Sequence, residues 1–210
     1  MPKDSKLNPR KLGLQARAQE TIDVILEATA QLLKEKGVKT ISTNKIVEKA
    51  GVSIGTLYQY FPSKESVLSF LLEKQFNKTA DDFLNHLEKL DFKNTKMKEG
   101  IETILNTLFT HFEIKGPVFK ELIYSVISIE SLKFTLKNDE RVSKAIIEKM
   151  KYYEDEIKVQ DLNKAIFVIL YCLKGVHFGR LFSTVTYTQD EMAKEMANLI
   201  YSYLVYESAN

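Results

Sequence analysis

Residues 41–65 read I-S-T-N-K-I-V-E-K-A-G-V-S-I-G-T-L-Y-Q-Y-F-P-S-K-E. Two segments of about eight residues with helical periodicity flank Ala50-Gly51-Val52-Ser53. Ser42 stands where an N-cap belongs before the first segment, and Ser53 before the second. Gly51 supplies the tight turn between them. Ile46, Val47, Ala50 and Val52 give both short helices an apolar side to pack on the helix before them. Leu57 and Phe61, four apart, set the buried face of the second helix. Gly55, Thr56 and Gln59 then lie on the opposite arc, flanked by the hydroxyls of Tyr58 and Tyr60. This is the spacing of a helix-turn-helix, whose second helix enters the major groove of DNA. Ser53 leaves the first N–H groups of that helix facing outward as a phosphate site. Gly55 weakens the helix but lets its backbone approach DNA closely.

A bare Ala-Gly turn is equally compatible with a plain helical hairpin. The longer string G-V-S-I-G-T-L-Y-Q-Y-F-P-S-K-E, residues 51–65, resembles the DNA-binding domain of the TetR family of bacterial transcriptional repressors. The resemblance covers roughly residues 18–68, and beyond Val67 it is one of architecture only. It implies an all-α chain with an N-terminal three-helix DNA-binding domain and a C-terminal helical ligand-binding and dimerisation domain. By position, the DNA contacts it implies fall on Thr43 and Asn44, then Ile54, Gly55, Thr56, Tyr58 and Tyr60, then Lys64. The stretch from Ser53 to Phe61 holds no Lys or Arg, so the common arginine–guanine contact is unavailable from the second helix. Base reading is expected to rest on Thr56, Gln59 and apolar contacts to thymine methyls. Neutralisation of phosphates is expected from Lys39, Lys45, Lys64 and a basic N-terminal arm.

Charge is distributed accordingly. The 210-residue chain carries 30 Lys+Arg against 28 Asp+Glu, a net charge of +2 that points to no partner. Residues 1–64 hold 11 basic and 6 acidic side chains, the remainder 19 and 22. The basic surplus therefore sits with the helix-turn-helix. Lys3, Lys6, Arg10, Lys11 and Arg17, with Pro2, Pro9 and Gly13 among them, read as a flexible arm over residues 1–17. The domain division expected is this arm, a DNA-binding domain over 18–63, and a body over 64–210.

Outside the motif the periodicity stays helical. Ile22, Ile25, Leu26, Thr29, Ala30 and Leu33 form one face of a helix ending before Gly37. Further helices are expected over about 64–90, 96–114, 118–129, from a polar hinge at 137–140 to about 157, over 162–182, and over 189–206, making about nine in all. Thr188 and Glu191 have capping-box spacing. In the helix over 162–182, one stripe is Ile166, Ile169, Leu170 and Leu173, and another is Phe167, Tyr171, Phe178 and Phe182. A helix apolar on two sides is buried on both: one side can face the core and the other a second copy of the chain, the alternative being a monomer core. Met192, Met196, Leu199, Ile200, Tyr203 and Leu204 of the last helix are expected to join that interface. A two-fold dimer would set two recognition helices about 34–36 Å apart, one DNA turn.

Phe109, Phe112, Tyr124, Phe134, Tyr152, Tyr171 and His177 are candidates to line a cavity for a small apolar effector. His86, His111 and His177 lack metal-ligand spacing, so neither metal nor cofactor is expected. Cys172, in an apolar run, reads as buried and inert. No nucleophile–base pair, phosphate loop or paired-carboxylate motif stands out, so the chain is not expected to be an enzyme. The N-terminus lacks an apolar signal region, and the longest apolar run, Ala165 to Leu173, is too short to span a bilayer. The expected protein is a cytoplasmic, dimeric repressor that leaves its DNA operator on binding an effector. The alternatives are an activator, or a helical ligand-binding protein or enzyme with a non-functional helix-turn-helix.

Overall fold

The computed structural model describes residues 16–112, 132–182 and 187–206. They form eight α-helices: α1 Ala16–Lys36, α2 Thr43–Ala50, α3 Ile54–Tyr60, α4 Lys64–Glu88, α5 Met97–Phe112, α6 Leu132–Met150, α7 Leu162–Phe182 and α8 Gln189–Val205. Short 3-10 turns follow α1 at Val38–Thr40 and α6 at Lys151–Tyr153. No strand occurs among the described residues. The helix expected over 118–129 and all but the end of the basic arm lie outside them. Arg17, assigned to that arm, belongs instead to the first turn of α1.

The described residues form two compact units, 16–76 with 132–135 and 77–112 with 136–206, the boundaries falling inside α4 and near the start of α6. In the first, Ile22, Ile25, Leu26 and Leu33 of α1 pack with Ile46, Leu57 and Phe61, all buried. Val67, Leu68 and Leu72 of α4 complete this core, so the unit extends past the boundary expected at Lys64. Thr29 is buried among these residues because its hydroxyl donates to the Ile25 carbonyl at 2.7 Å. Ala30, expected on the same face, is exposed.

The second unit buries Phe83 and Leu87 of α4, Ile101 and Leu105 of α5, Met150 of α6, Ile166 and Leu170 of α7, and Ile200 and Leu204 of α8. Helix α8 opens with the expected capping box, Thr188 accepting from the Glu191 N–H while Glu191 accepts from that of Thr188. The polar hinge expected at 137–140 is instead continuous α6. Its polar side chains find tertiary partners: buried Asn138 donates to Asn77 at 2.7 Å and accepts from Arg141 at 3.1 Å. Arg141 in turn reaches Asp81 at 2.5 Å. The helix stops at Met150, short of 157, where the 3-10 turn carries Tyr153 into the core.

Tyr153 explains a glycine. Its hydroxyl donates to the Phe92 carbonyl at 3.3 Å, and its ring lies against Gly100 of α5. A Cβ at Gly100 would meet the Tyr153 hydroxyl at 2.4 Å. Although alanine is the better helix former, Gly100→Ala is expected to lower stability by about 1–3 kcal/mol, the cost of overpacking. Chemical denaturation measures it, and Tyr153→Phe combined with Gly100→Ala should recover part of the loss.

Candidate nucleic-acid interface and apolar body

The α2–turn–α3 segment is held by local bonds at each end. The Lys45 N–H reaches Ser42 Oγ at 3.4 Å at the start of α2. Gly51 closes it in the left-handed region, at φ 66° and ψ 28°, with its N–H on the Val47 carbonyl. The Thr56 N–H reaches Ser53 Oγ at 3.0 Å to cap α3. Gly37, at φ 71° and ψ 168°, adopts a backbone conformation essentially reserved for glycine and ends α1 with its N–H on the Leu33 carbonyl.

With Leu57 and Phe61 fixed in the core, α3 leaves Ile54, Gly55, Tyr58 and Gln59 exposed. Thr56 is half-buried, and its hydroxyl shares a 2.8 Å hydrogen bond with Ser53 Oγ. Tyr60 is half-buried against the core, less open than Tyr58. Gly55 has only Ser53 Oγ near its missing side chain, at 3.7 Å, so its surface is open.

On α2, Asn44 is exposed and Thr43 half-buried. Lys45 is exposed but donates to the Thr40 carbonyl at 2.7 Å. Lys64, at the start of α4, lies 3.8 Å from Glu65, a pair too open and long to neutralise it. Lys39 is exposed. Lys49 instead pairs with Glu35 at 2.9 Å, and this hydrogen bond lowers the Glu35 pKa. The α3 segment itself carries no charge of either sign. Cations therefore flank the exposed helix face rather than occupy it.

The second unit holds a partly open apolar cavity of about 30 Å³ between α5, α6, α7 and α8. Its lining includes Ile101, Ile104, Leu108, Ile146, Ile169 and Ile200. It does not include Phe109, Tyr152, Tyr171 or His177. Phe109 is plain core, and Tyr152 points out of the 3-10 turn at 58% exposure. His177 is half-buried on α7. Tyr171 is exposed, its hydroxyl on Asp139 at 3.3 Å and its ring 5.0 Å from the Lys174 ammonium. Desolvation first, then the Asp139 charge, raise its phenol pKa. Tyr124 and the side chains of Phe112 and Phe134 lie outside the described residues. The aliphatic repeat Ile101, Ile104, Leu105, Leu108 was the available sequence signal for the cavity, because an apolar space needs no aromatic or polar mark.

Over its described side chains, helix α7 is buried on one side only, and those of Phe178 and Phe182 lie outside the described residues. Ile166, Ile169, Leu170 and Leu173 face the core, whereas Phe167, Val168 and Tyr171 are exposed. Cys172 is exposed too, contrary to its reading as a buried thiol, because it falls on the outer stripe. The last helix divides in the same way. Met196, Ile200 and Leu204 are core, while Leu199 and Tyr203 are exposed, so the six residues do not share one face.

A capped two-helix unit with an uncharged, exposed second helix is the geometry of a helix-turn-helix. Residues 25–69 match the family of bacterial regulatory proteins, tetR family. The HTH-type transcriptional repressor KstR of Mycolicibacterium smegmatis is 35% identical over 72 residues, 34% of this chain and 35% of KstR. The chain spans about a third to half the length of the curated relatives it matches. A TetR-family regulator from Mesorhizobium loti shares the fold with a TM-score of 0.66 at 14% identity, over 91% of this chain and 98% of that one. RolR, crystallised with resorcinol, does so with a TM-score of 0.63 at 18% identity, over 92% and 98%. Residues 25–69 thus match the TetR family, and the chain shares the fold of TetR-family regulators of known structure.

Proposed function

We propose that this chain is a dimeric transcriptional repressor of the cytoplasm that leaves its operator when a small apolar molecule enters its body. The observation that carries the DNA-binding half is the exposed, uncharged face of α3, held in place by Ser53, Leu57 and Phe61. Thr43, Asn44, Lys45 and Lys64 supply phosphate contacts, and Gln59 and Thr56 read bases, helped by apolar contacts from Ile54 and by Gly55. Tyr58 and Tyr60 extend hydroxyls to the backbone.

The effector half rests on the aliphatic cavity and on the analogy with resorcinol-bound RolR. The cavity has room for little more than one water-sized body, whereas ligand pockets usually span about 300–1,000 Å³. Effector binding therefore requires α5–α8 to part, and it favours a state in which they already have. Operator affinity falls by as much as the effector prefers that state. Nothing in this scheme requires an enzymatic step. Among the described residues no helix is long and apolar enough to cross a membrane.

A salt series of gel shifts on the promoter beside its own gene tests the reading. Lys64→Ala should weaken binding to all duplexes and reduce the magnitude of the salt slope by about one. An unchanged slope removes Lys64 from the interface, and no sequence-specific binding at low salt removes the repressor reading. A transcription assay then separates repression from activation.

A further inference from the structure

The cavity of the second unit has a long, thin lining. It runs from Ile101 to Leu108 on α5 and from Ile166 to Leu173 on α7, in each case about 10 Å of helix rise. Helices α6 and α8 close the sides, and the void between them is only about 30 Å³. Leu108 is half-buried whereas the other lining side chains are buried, so the open end lies beside Leu108.

The chemistry of the strip is uniform. Every lining side chain among the described residues is Ile, Leu or Met. A carboxylate, amine or phenol group would find no side-chain hydrogen-bond partner along it, and buried polar groups without partners are costly. No aromatic ring lines it to stack on a flat ligand, and a ring would have to part the helices by its full width. A saturated hydrocarbon chain is one carbon thick, bends to follow the lining side chains and asks for no polar partner. We propose that the effector enters this cavity as an unbranched alkyl chain, its polar head remaining in water beside Leu108. This rests on the effector reading above and names the class of ligand that reading left open.

Straight-chain alcohols from pentan-1-ol to decan-1-ol, titrated into the full chain by calorimetry alongside phenol, test it. Affinity should rise about fourfold per added methylene, the gain from burying one CH2, and level off once the chain outruns the lined length. Hexan-1-ol should bind more tightly than phenol. Leu108→Trp, which fills the open end, should weaken the longer alcohols by about tenfold or more, the worth of at least two buried methylenes. Tyr152→Ala, exposed and outside the lining, should leave the series unchanged. Should Leu108→Trp fail to fold, nuclear Overhauser contacts in the unaltered chain decide. Alkyl protons of decan-1-ol should reach the methyls of Ile104, Ile146 and Ile169 and not those of Ile22 or Ile46 in the first unit. No binding, a flat series, equal binding of phenol, or contacts to other methyls alone would overturn the alkyl-chain site and leave the repressor reading to its own operator test. A rising series with the expected contacts but unchanged operator affinity would uphold the site and refute release by this route.

Discussion

Phe61→Ala is expected to destabilise the DNA-binding unit by about 3–5 kcal/mol, the usual loss for a fully buried Phe. Phe61 is 0% exposed, caps α3 with its N–H on the Leu57 carbonyl at 2.9 Å, and sets its ring 5.8 Å from that of Phe70. Its ring sits in a core shared by α1, α2, α3 and the first half of α4, so its removal leaves a space among Ile22, Ile46, Leu57 and Leu68 that close packing fills only in part. A small domain lies towards the lower end of the usual 5–15 kcal/mol of stability, so this loss is a large share of the total. Chemical denaturation followed by circular dichroism should show an early transition for residues 16–76, and operator binding should be lost with it. Tyr58→Ala is the matching control. Tyr58 is exposed on the same helix, so its removal should change stability by no more than about 0.5 kcal/mol while weakening DNA binding. A Phe61→Ala chain with unchanged stability would show that α3 is held by something other than this core.

The head was legible because its signals are local. Ser42, Gly51 and Ser53 act on backbone groups within four residues of themselves, and each performs its expected bond or turn. Thr188 and Glu191 do the same at α8. The body was legible only in its periods. The Asn138-Asp139-Glu140 stretch looks like a break, yet Asn77, Asp81 and Lys174 on other helices satisfy its polar groups and those of Arg141, and the helix runs through. Helix α7 carries two apolar stripes of the same period, and nothing local tells which one meets the core. Cys172 was misplaced for that reason.

That undecided stripe leads to the other large effect. Phe167 on α7 and Leu199 on α8 are 60% and 61% exposed, and Val168, Tyr171 and Tyr203 are exposed on the same two helices. Apolar side chains left out in this number mark an association surface, and the family reading assigns it to a second copy of the chain. Phe167→Asp combined with Leu199→Asp tests this with little cost to the protomer, since both positions are already solvent-facing. In a dimer the same aspartates would be buried without partners, which proteins tolerate poorly. The variant is therefore expected to sediment as a folded monomer. Its operator affinity should fall by about 10²–10⁴, the gain that linking two binding heads confers. A single half-site should be bound as before, because α3 and its flanking cations are untouched. Loss of half-site binding would mean that the substitutions had damaged the fold, and circular dichroism would reveal it. A variant that stays dimeric with full operator affinity would place the dimer interface elsewhere and leave the α7–α8 face to a different partner.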